Sequence, residues 1–267
     1  MRSVQKLMDL SERVALILGG AGHLGSAMAE ALAEAGSDLV ILDVNEQNAH
    51  DAARDLSDRF GIAAVPVVAD LADEAALRAL PQTIEDQFGR LDILIYVAAL
   101  IGTSPLKGWA VPFDKQNADT WRLALEINLT AAFIATQACM PLLKASGHGS
   151  IINVSSHYGL VGPDMDLYEG TQLGNPAAYA ASKAGLIQFT RWLSTSLAPE
   201  IRANCISPGG IWRKQPDVFH QKYIRKTPLQ RMATEEDFKG ATVYLASDLS
   251  AYCTGQNLVI DGGFTAW

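Results

Sequence analysis

The sequence predicts a doubly wound α/β domain, a parallel sheet of about seven strands with helices on both faces. Three observations carry this. Short apolar, β-branched runs recur along the 267 residues. Segments with a period of about 3.6 residues separate them. The runs are apolar throughout rather than alternating, as strands buried on both faces must be.

The elements follow in order. A first strand at 14–18 (Val-Ala-Leu-Ile-Leu) enters a glycine cluster and a helix at 24–35. A strand at 39–42 ends on Asp43 and precedes a helix at 46–59. Strands at 64–68 and 93–97 lead into helices at 73–88 and 121–144. A strand at 150–154 is followed, after a polar loop, by a helix at 177–197, for which Asn175-Pro176 supplies an N-cap and an N1 proline. Strands at 202–206 and 257–260 flank a helix at 235–246, which Thr234-Glu235-Glu236-Asp237 opens in the manner of a capping box. With no repeat, linker or low-complexity tract, residues 1–267 read as one domain.

The bulk numbers narrow the function. Apolar residues make up 49% and charged residues 19%, as in a compact soluble enzyme. A net charge of −8 argues against a nucleic-acid partner, which needs a basic face. No apolar run approaches the roughly 18 residues of a membrane span. The N-terminus leads towards a strand without a signal-peptide core, so the cytoplasm is the expected location. Cys139, Cys205 and Cys253 are odd in number, far apart and set among apolar neighbours. They read as reduced packing residues, and no metal site is expected.

The chemistry concentrates in two places. Gly19-Gly20-Ala21-Gly22-His23-Leu24-Gly25 follows the first strand, where glycines let a backbone approach a pyrophosphate seated on the helix N-terminus. Asp43, at the end of the second strand, suits the adenosine ribose hydroxyls and would repel a 2′-phosphate, and residues 44–46 offer no Arg or Lys. NAD is therefore expected over NADP. Asp70-Leu71 is placed either to contact adenine or simply to start a helix. The second place is Tyr179-Ala-Ala-Ser-Lys183, preceded by Ser155-Ser156-His157-Tyr158-Gly159. Tyr and Lys four apart share a helix face, so the ammonium can favour phenolate and make the phenol a usable acid or base.

These motifs, in this order, resemble the short-chain dehydrogenase/reductase family along essentially the whole chain. The resemblance implies a Rossmann-type fold and NAD(P)-dependent interconversion of a secondary alcohol and a ketone. Gly19 and Gly25 match the first and last glycines of the family's Gly-x-x-x-Gly-x-Gly. His23 stands at the middle one, with Gly22 supplying the compensating flexibility. Tyr96-Val97-Ala98-Ala99 replaces the family's Asn-Asn-Ala-Gly. The resemblance assigns Tyr179 the proton exchange, Ser156 the hydrogen bond at the reacting oxygen, Lys183 the lowering of the phenol pKa and the nicotinamide ribose, and Asn128 a proton-relay water. Leu24, Ala98, Pro208, Gly209 and Ile211 join the cofactor set, and the family suggests a homotetramer. Tyr168-Glu169-Gly170-Thr171, Asn204–Ile211, Arg231–Thr234 and the terminal Asp261–Trp267 resemble a subgroup linked to flagellin-glycan and nonulosonate sugar biosynthesis.

Two elements, 157–175 and 208–231, are expected to shape the substrate site. Ser156 and Tyr179 are about ten residues further apart than usual for the family. The surplus forms a polar loop whose carboxylates and amides suit the hydroxyls or amine of a sugar, or alternatively an interface between subunits. Arg213, Lys214, Lys222, Arg225, Lys226 and Arg231 fall within 212–231 beside a single acid, Asp217. That local reversal suggests an anionic substrate such as a phosphorylated or nucleotide-linked sugar, or else a solvated helix face. Candidate substrate residues are His157, Tyr168, Glu169, Trp212 and Arg213. The alternatives are a 3-oxoacyl-carrier-protein reductase-like enzyme and a non-catalytic dinucleotide sensor.

Overall fold

A computed structural model describes residues 1–267. Its strands are β1 (Val14–Leu18), β2 (Asp38–Asp43), β3 (Ala64–Val68), β4 (Ile93–Tyr96), β5 (Gly149–Val154), β6 (Ile201–Pro208) and β7 (Asn257–Ile260). They form one parallel sheet in the order β3-β2-β1-β4-β5-β6-β7. Winding reverses between β1 and β4, and such a switch point opens a crevice at the carboxyl ends of the strands.

Alternation along each strand sends its side chains to two apolar layers. Leu16, Leu18, Val40, Leu94 and Ile151 face one way and pack on α4 (Glu74–Phe88), α6 (Ala131–Ala145) and α7 (Ala177–Ser196). Ala15, Ile17, Leu39, Ile41, Ile95 and Ile152 face the other way, towards α2 (His23–Glu34), α3 (Glu46–Phe60) and α9 (Lys239–Ala246). Cys139 and Cys205 are free and buried, and Cys253 is free and partly buried.

Four elements differ from expectation. The N-terminus first makes a short helix, α1 (Val4–Met8), because the Ser3 side chain accepts a hydrogen bond from the Lys6 amide at 3.2 Å. The helix foreseen at 121–144 starts earlier, as α5 (Ala118–Leu125), and passes through a π-turn, Glu126–Thr130, into α6. The resulting helical run, Ala118–Ala145, is long and apolar enough for a membrane span, but α6 packs inside against the sheet. Pro176 rather than Asn175 caps α7, since the first free amide, Ala177 N–H, donates to Gln116 Oε1 at 3.1 Å. A further helix, α8 (Asp217–Lys226), lies within the 212–231 segment. The capping box at Thr234–Asp237 is present and opens the 3₁₀ turn before α9.

Candidate active site

A cleft of 740 Å³ opens along the carboxyl ends of β1, β2, β4, β5 and β6. Its glycine-lined end, where the sequence places a nucleotide, is built from close backbone approach. Gly19 has φ +86°, and a Cβ there would lie 2.8 Å from Ala98. A Cβ on Gly25 would lie 2.0 Å from the Gly19 carbonyl oxygen, so neither position admits a side chain. Gly22 does not supply compensating flexibility. It is the N-cap of α2 with an ordinary extended backbone, φ −75° and ψ 165°, and His23 simply begins the helix, exposed at the cleft wall.

Asp43 lines the cleft, one carboxylate oxygen accepting the Asn45 amide at 3.1 Å. Val44 points into solvent, and Asn45 is committed to capping α3. Asp70 and Leu71 do not line the cleft. Asp70 is exposed and accepts the Ala72 amide at 2.9 Å, while Leu71 is buried in the core.

Ser156, Tyr179 and Lys183 meet at the middle of the cleft. Ser156 follows β5 and caps a short 3₁₀ turn, His157–Gly159, its Oγ accepting the Tyr158 amide at 3.2 Å. That leaves its own O–H free to donate to a ligand oxygen. Gly159 is required here, because a Cβ would sit 2.9 Å from the Lys183 carbonyl of α7. Lys183 is only 2% exposed and donates through Nζ to the Val154 carbonyl at 2.8 Å. Burial brings its ammonium down to about 8.

The phenol moves opposite to expectation. Burial, the largest cause, raises the Tyr179 pKa, and the neighbouring Ser156 hydroxyl only partly opposes this. Lys183 gives no relief because its ammonium, 5.9 Å from the Tyr179 ring centre, points at Val154.

Asn128 lies beneath the site, wholly buried and outside the lining. Its Nδ2 donates to the Leu100 carbonyl and to Ser182 Oγ, both at 3.1 Å, and its Oδ1 accepts the Leu100 amide at 2.7 Å. The amide thus clamps the 97–101 segment that walls the cleft. The π-turn that carries Asn128 is held from the sheet, where the Tyr96 hydroxyl donates to the Ile127 carbonyl. Sequence reasoning missed this contact, although Tyr96 was visible as the odd residue in its motif.

At the substrate end, Pro208, Gly209, Ile211, His157, Tyr168 and Arg213 line the cleft. Trp212 does not; it packs on His220 at 4.3 Å. Glu169 does not either; it is exposed, 4.0 Å from Lys222. The insertion carboxylates do not line the cleft. Asp164 pairs with Lys226 and also accepts the Asp166 backbone amide on Oδ1 at 3.1 Å. Lys222 donates to the Asp166 carbonyl at 2.5 Å. The basic stretch is therefore mostly internal: Lys222 and Lys226 fasten α8 to the insertion, Arg231 pairs with Asp237 at 2.6 Å and Arg213 with Glu235 at 3.1 Å.

Several lining residues were not among the candidate site residues, among them Tyr158, Asn175, Phe219 and Tyr223, while Lys214 was read only as part of the basic stretch. Lys214 holds φ +57° and has no ion-pair or hydrogen-bond partner on its side chain. No Asp or Glu lines the substrate end; Asp43, at the nucleotide end, is the cleft's single carboxylate.

Comparison with known proteins agrees with this geometry. A family model described as Enoyl-(Acyl carrier protein) reductase matches residues 19–265. The chain is 35% identical over 264 residues to the trans-4-hydroxycyclohexanecarboxylate dehydrogenase of Sinomonas cyclohexanicum, covering 96% of this chain and 94% of that protein. It is 30% identical over 260 residues to a 3-oxoacyl-[acyl-carrier-protein] reductase of Chlamydia muridarum, covering 95% and 98%. Among solved structures, a gluconate 5-dehydrogenase from Burkholderia cenocepacia, in complex with NADP and tartrate, superposes with a TM-score of 0.88 at 30% identity, covering 99% of this chain and all of that one.

Proposed function

The chain belongs to the short-chain dehydrogenase/reductase family, and we propose that it is an NAD(H)-dependent oxidoreductase interconverting the secondary alcohol and the ketone of a small, hydroxylated, sugar-like acid. The family uses a nicotinamide dinucleotide, and the glycine turn fits one: bare backbone at Gly19 and Gly25 lets the loop pack tightly on Ala98 and on itself, and the first residues of α2 line the cleft, where a helix N-terminus suits a phosphate. When bound, the dinucleotide supplies the hydride acceptor or donor. Asp43 would hold the adenosine ribose and disfavour a 2′-phosphate, which supports NAD although the gluconate 5-dehydrogenase carries NADP. His23, Leu24, Ala98, Pro208, Gly209 and Ile211 would flank the cofactor, and Lys183 would bind the nicotinamide ribose.

Tyr179 exchanges the proton at the substrate oxygen, and Ser156 donates its free O–H to that same oxygen as charge develops. A phenol held protonated by burial starts as the acid of carbonyl reduction. For alcohol oxidation it must first lose its proton, which a cation close to it favours. Asn128 keeps the wall of the cleft in register, and we assign the relay water to its neighbourhood.

The substrate class rests on one observation: a cleft end with no carboxylate and one unpaired cation, Lys214. A single carboxylate satisfies that cation. Support for a phosphorylated or nucleotide-linked sugar weakens, because four of the six basic residues already have partners. The whole cleft is also modest for a dinucleotide and a nucleotide-linked sugar together, since pockets of about 300–1,000 Å³ suit one drug-sized ligand. The names of two relatives, a hydroxycyclohexanecarboxylate dehydrogenase and a gluconate dehydrogenase, agree with a hydroxy acid, as does the resemblance of the C-terminal half to sugar-modifying members.

The test is a rate screen with NAD(H) against hydroxy acids, neutral sugars, phosphorylated sugars and 3-oxoacyl thioesters. Turnover of hydroxy acids, with KM raised in Lys214→Gln and the KM for NAD unchanged, supports the proposal. Turnover confined to acyl thioesters would replace it with the ketoreductase reading, which the Chlamydia relative favours.

A further inference from the structure

The chain between β4 and α5, residues 97–117, is long and irregular, with a single 3₁₀ turn at Phe113–Lys115. Loops this long are uncommon inside a compact domain and usually serve function. Residues 97–99 and 101–103 line the cleft, and the rest of the loop does not. That rest is fastened to the segment that enters α7. Trp109, only 2% exposed, donates through Nε1 to the Ile101 carbonyl at 2.7 Å. It forms a small apolar cluster with Ala124 of α5 and Ala178 of α7, against which Tyr179 packs. A Cβ on Gly102 would lie 2.5 Å from the Gly174 carbonyl oxygen, and one on Gly174 would lie 3.2 Å from the Ala110 carbonyl oxygen, so the two backbones touch. Gln116 completes the join. Its Oε1 accepts the Ala177 amide at 3.1 Å while its Nε2 donates to the Val111 carbonyl at 3.1 Å. Both ends of that side-chain amide are thus used, one on the helix and one on the loop. The helix needs the help, because its N-cap, Pro176, makes no side-chain hydrogen bond to it. Tyr179 lies in this first turn, where helix amides lack their intrahelical partners and the chain frays.

We propose that Gln116 is a positioning residue for proton transfer: by holding the Ala177 amide it fixes the first turn of α7, and with it the place of the Tyr179 hydroxyl in the cleft. This deepens the functional reading above and rests on it. Gln116 does not line the cleft, so it acts through α7 and not on the ligands. Releasing the turn lets the phenol drift from the reacting oxygen, and a misplacement of about 1 Å can cost on the order of 100-fold in rate. Binding of dinucleotide and substrate is set by other residues and survives the release.

The experiment follows NADH formation from NAD and 4-hydroxycyclohexanecarboxylate, or the fastest substrate of the rate screen, in wild type and in Gln116 variants with Tyr179 intact or changed to Phe. Gln116→Ala is expected to lower kcat about 10- to 100-fold and to move the KM for substrate and for NAD less than about 3-fold. Gln116→Met, which keeps the volume and drops the acceptor, should match it, so the test does not depend on the alanine variant folding. Gln116→Glu keeps an acceptor for the Ala177 amide, at a helix end that favours negative charge, and should recover most of the rate. In Tyr179→Phe the same alanine should cost less than about 2-fold, because groups that act as one unit are not additive. Wild-type kcat in Gln116→Ala and Gln116→Met, no recovery in Gln116→Glu, or the same loss with and without the Tyr179 hydroxyl would overturn the inference and leave the oxidoreductase reading intact. Wild-type kcat in Tyr179→Phe, or a wild type that binds NADH and turns over nothing in the screen, would overturn both.

Discussion

Burial governs the ionisation of Tyr179 and Lys183, raising the phenol and bringing the ammonium down to about 8. The lysine has a thermodynamic signature. Its folded pKa lies below the ordinary 10.5, so between those values the unfolded chain binds more protons, and stability rises as pH rises. We predict that wild type gains on the order of 3 kcal/mol of unfolding free energy relative to Lys183→Met between about pH 8 and pH 10.5. Parallel denaturation curves for the two proteins across that window would contradict the assignment. At the other end of the cleft, Asp43→Ala is predicted to shift the ratio of kcat/KM for NAD over NADP towards NADP by about tenfold or more, since it removes both a ribose acceptor and a repelling charge. An unchanged ratio would show that the carboxylate does not choose the cofactor. The glycines, Asp43, Ser156, Tyr179 and Lys183 were legible as residue types at motif spacing. The hold of Gln116 on the first turn of α7 was not, because 61 residues separate it from Ala177.

Among the elements, the π-turn between α5 and α6 shows how a departure from a motif can be compensated. The turn exposes the Ile127 carbonyl, and the Tyr96 hydroxyl meets it from β4 while Asn128 grips Leu100. Tyr96→Phe leaves that carbonyl unpaired in the core. It should cost about 1–3 kcal/mol in chemical denaturation and lower kcat as the 97–101 wall loosens. Full stability would deny the hydroxyl this role. The second device joins α8 to the insertion. Lys222 and Lys226 bind its backbone and Asp164, and Tyr168 packs on Phe219 at 5.5 Å. Loosening this cover through Lys226→Ala is predicted to raise the KM for substrate several-fold while the KM for NAD stays put; equal changes in both would count against it. Periodicity located the strands and most helices. The π-turn and α8 were harder to read: the first is imposed by tertiary hydrogen bonds and keeps an unbroken apolar pattern, and the second is polar on most of its face. The excess of basic residues suggested a ligand because a linear sequence does not show that Asp164, Glu235 and Asp237 fold back onto them.

Across the whole molecule, the switch point of the parallel sheet sets the glycine turn, Ser156 and Tyr179, and the α8 cover along one cleft. Phe133 of α6 and Trp192 of α7 stay 45% and 58% exposed, large apolar side chains on helices that otherwise pack inward. Together with the family resemblance they support a homotetramer assembled through these helices, so sedimentation should give about four times the 28.6 kDa chain mass. A monomer at micromolar concentration would contradict this. The central claim is that the Tyr179 hydroxyl moves the proton while a bound dinucleotide exchanges the hydride, and the kinetics of Tyr179→Phe test it most directly. Turnover of a hydroxy acid by wild type, falling about 100- to 10,000-fold in the variant with NADH binding unchanged, is the predicted result. A variant that turns over at the wild-type rate, or a wild type that binds NADH and never exchanges hydride, as a dinucleotide sensor would, is the result that contradicts it.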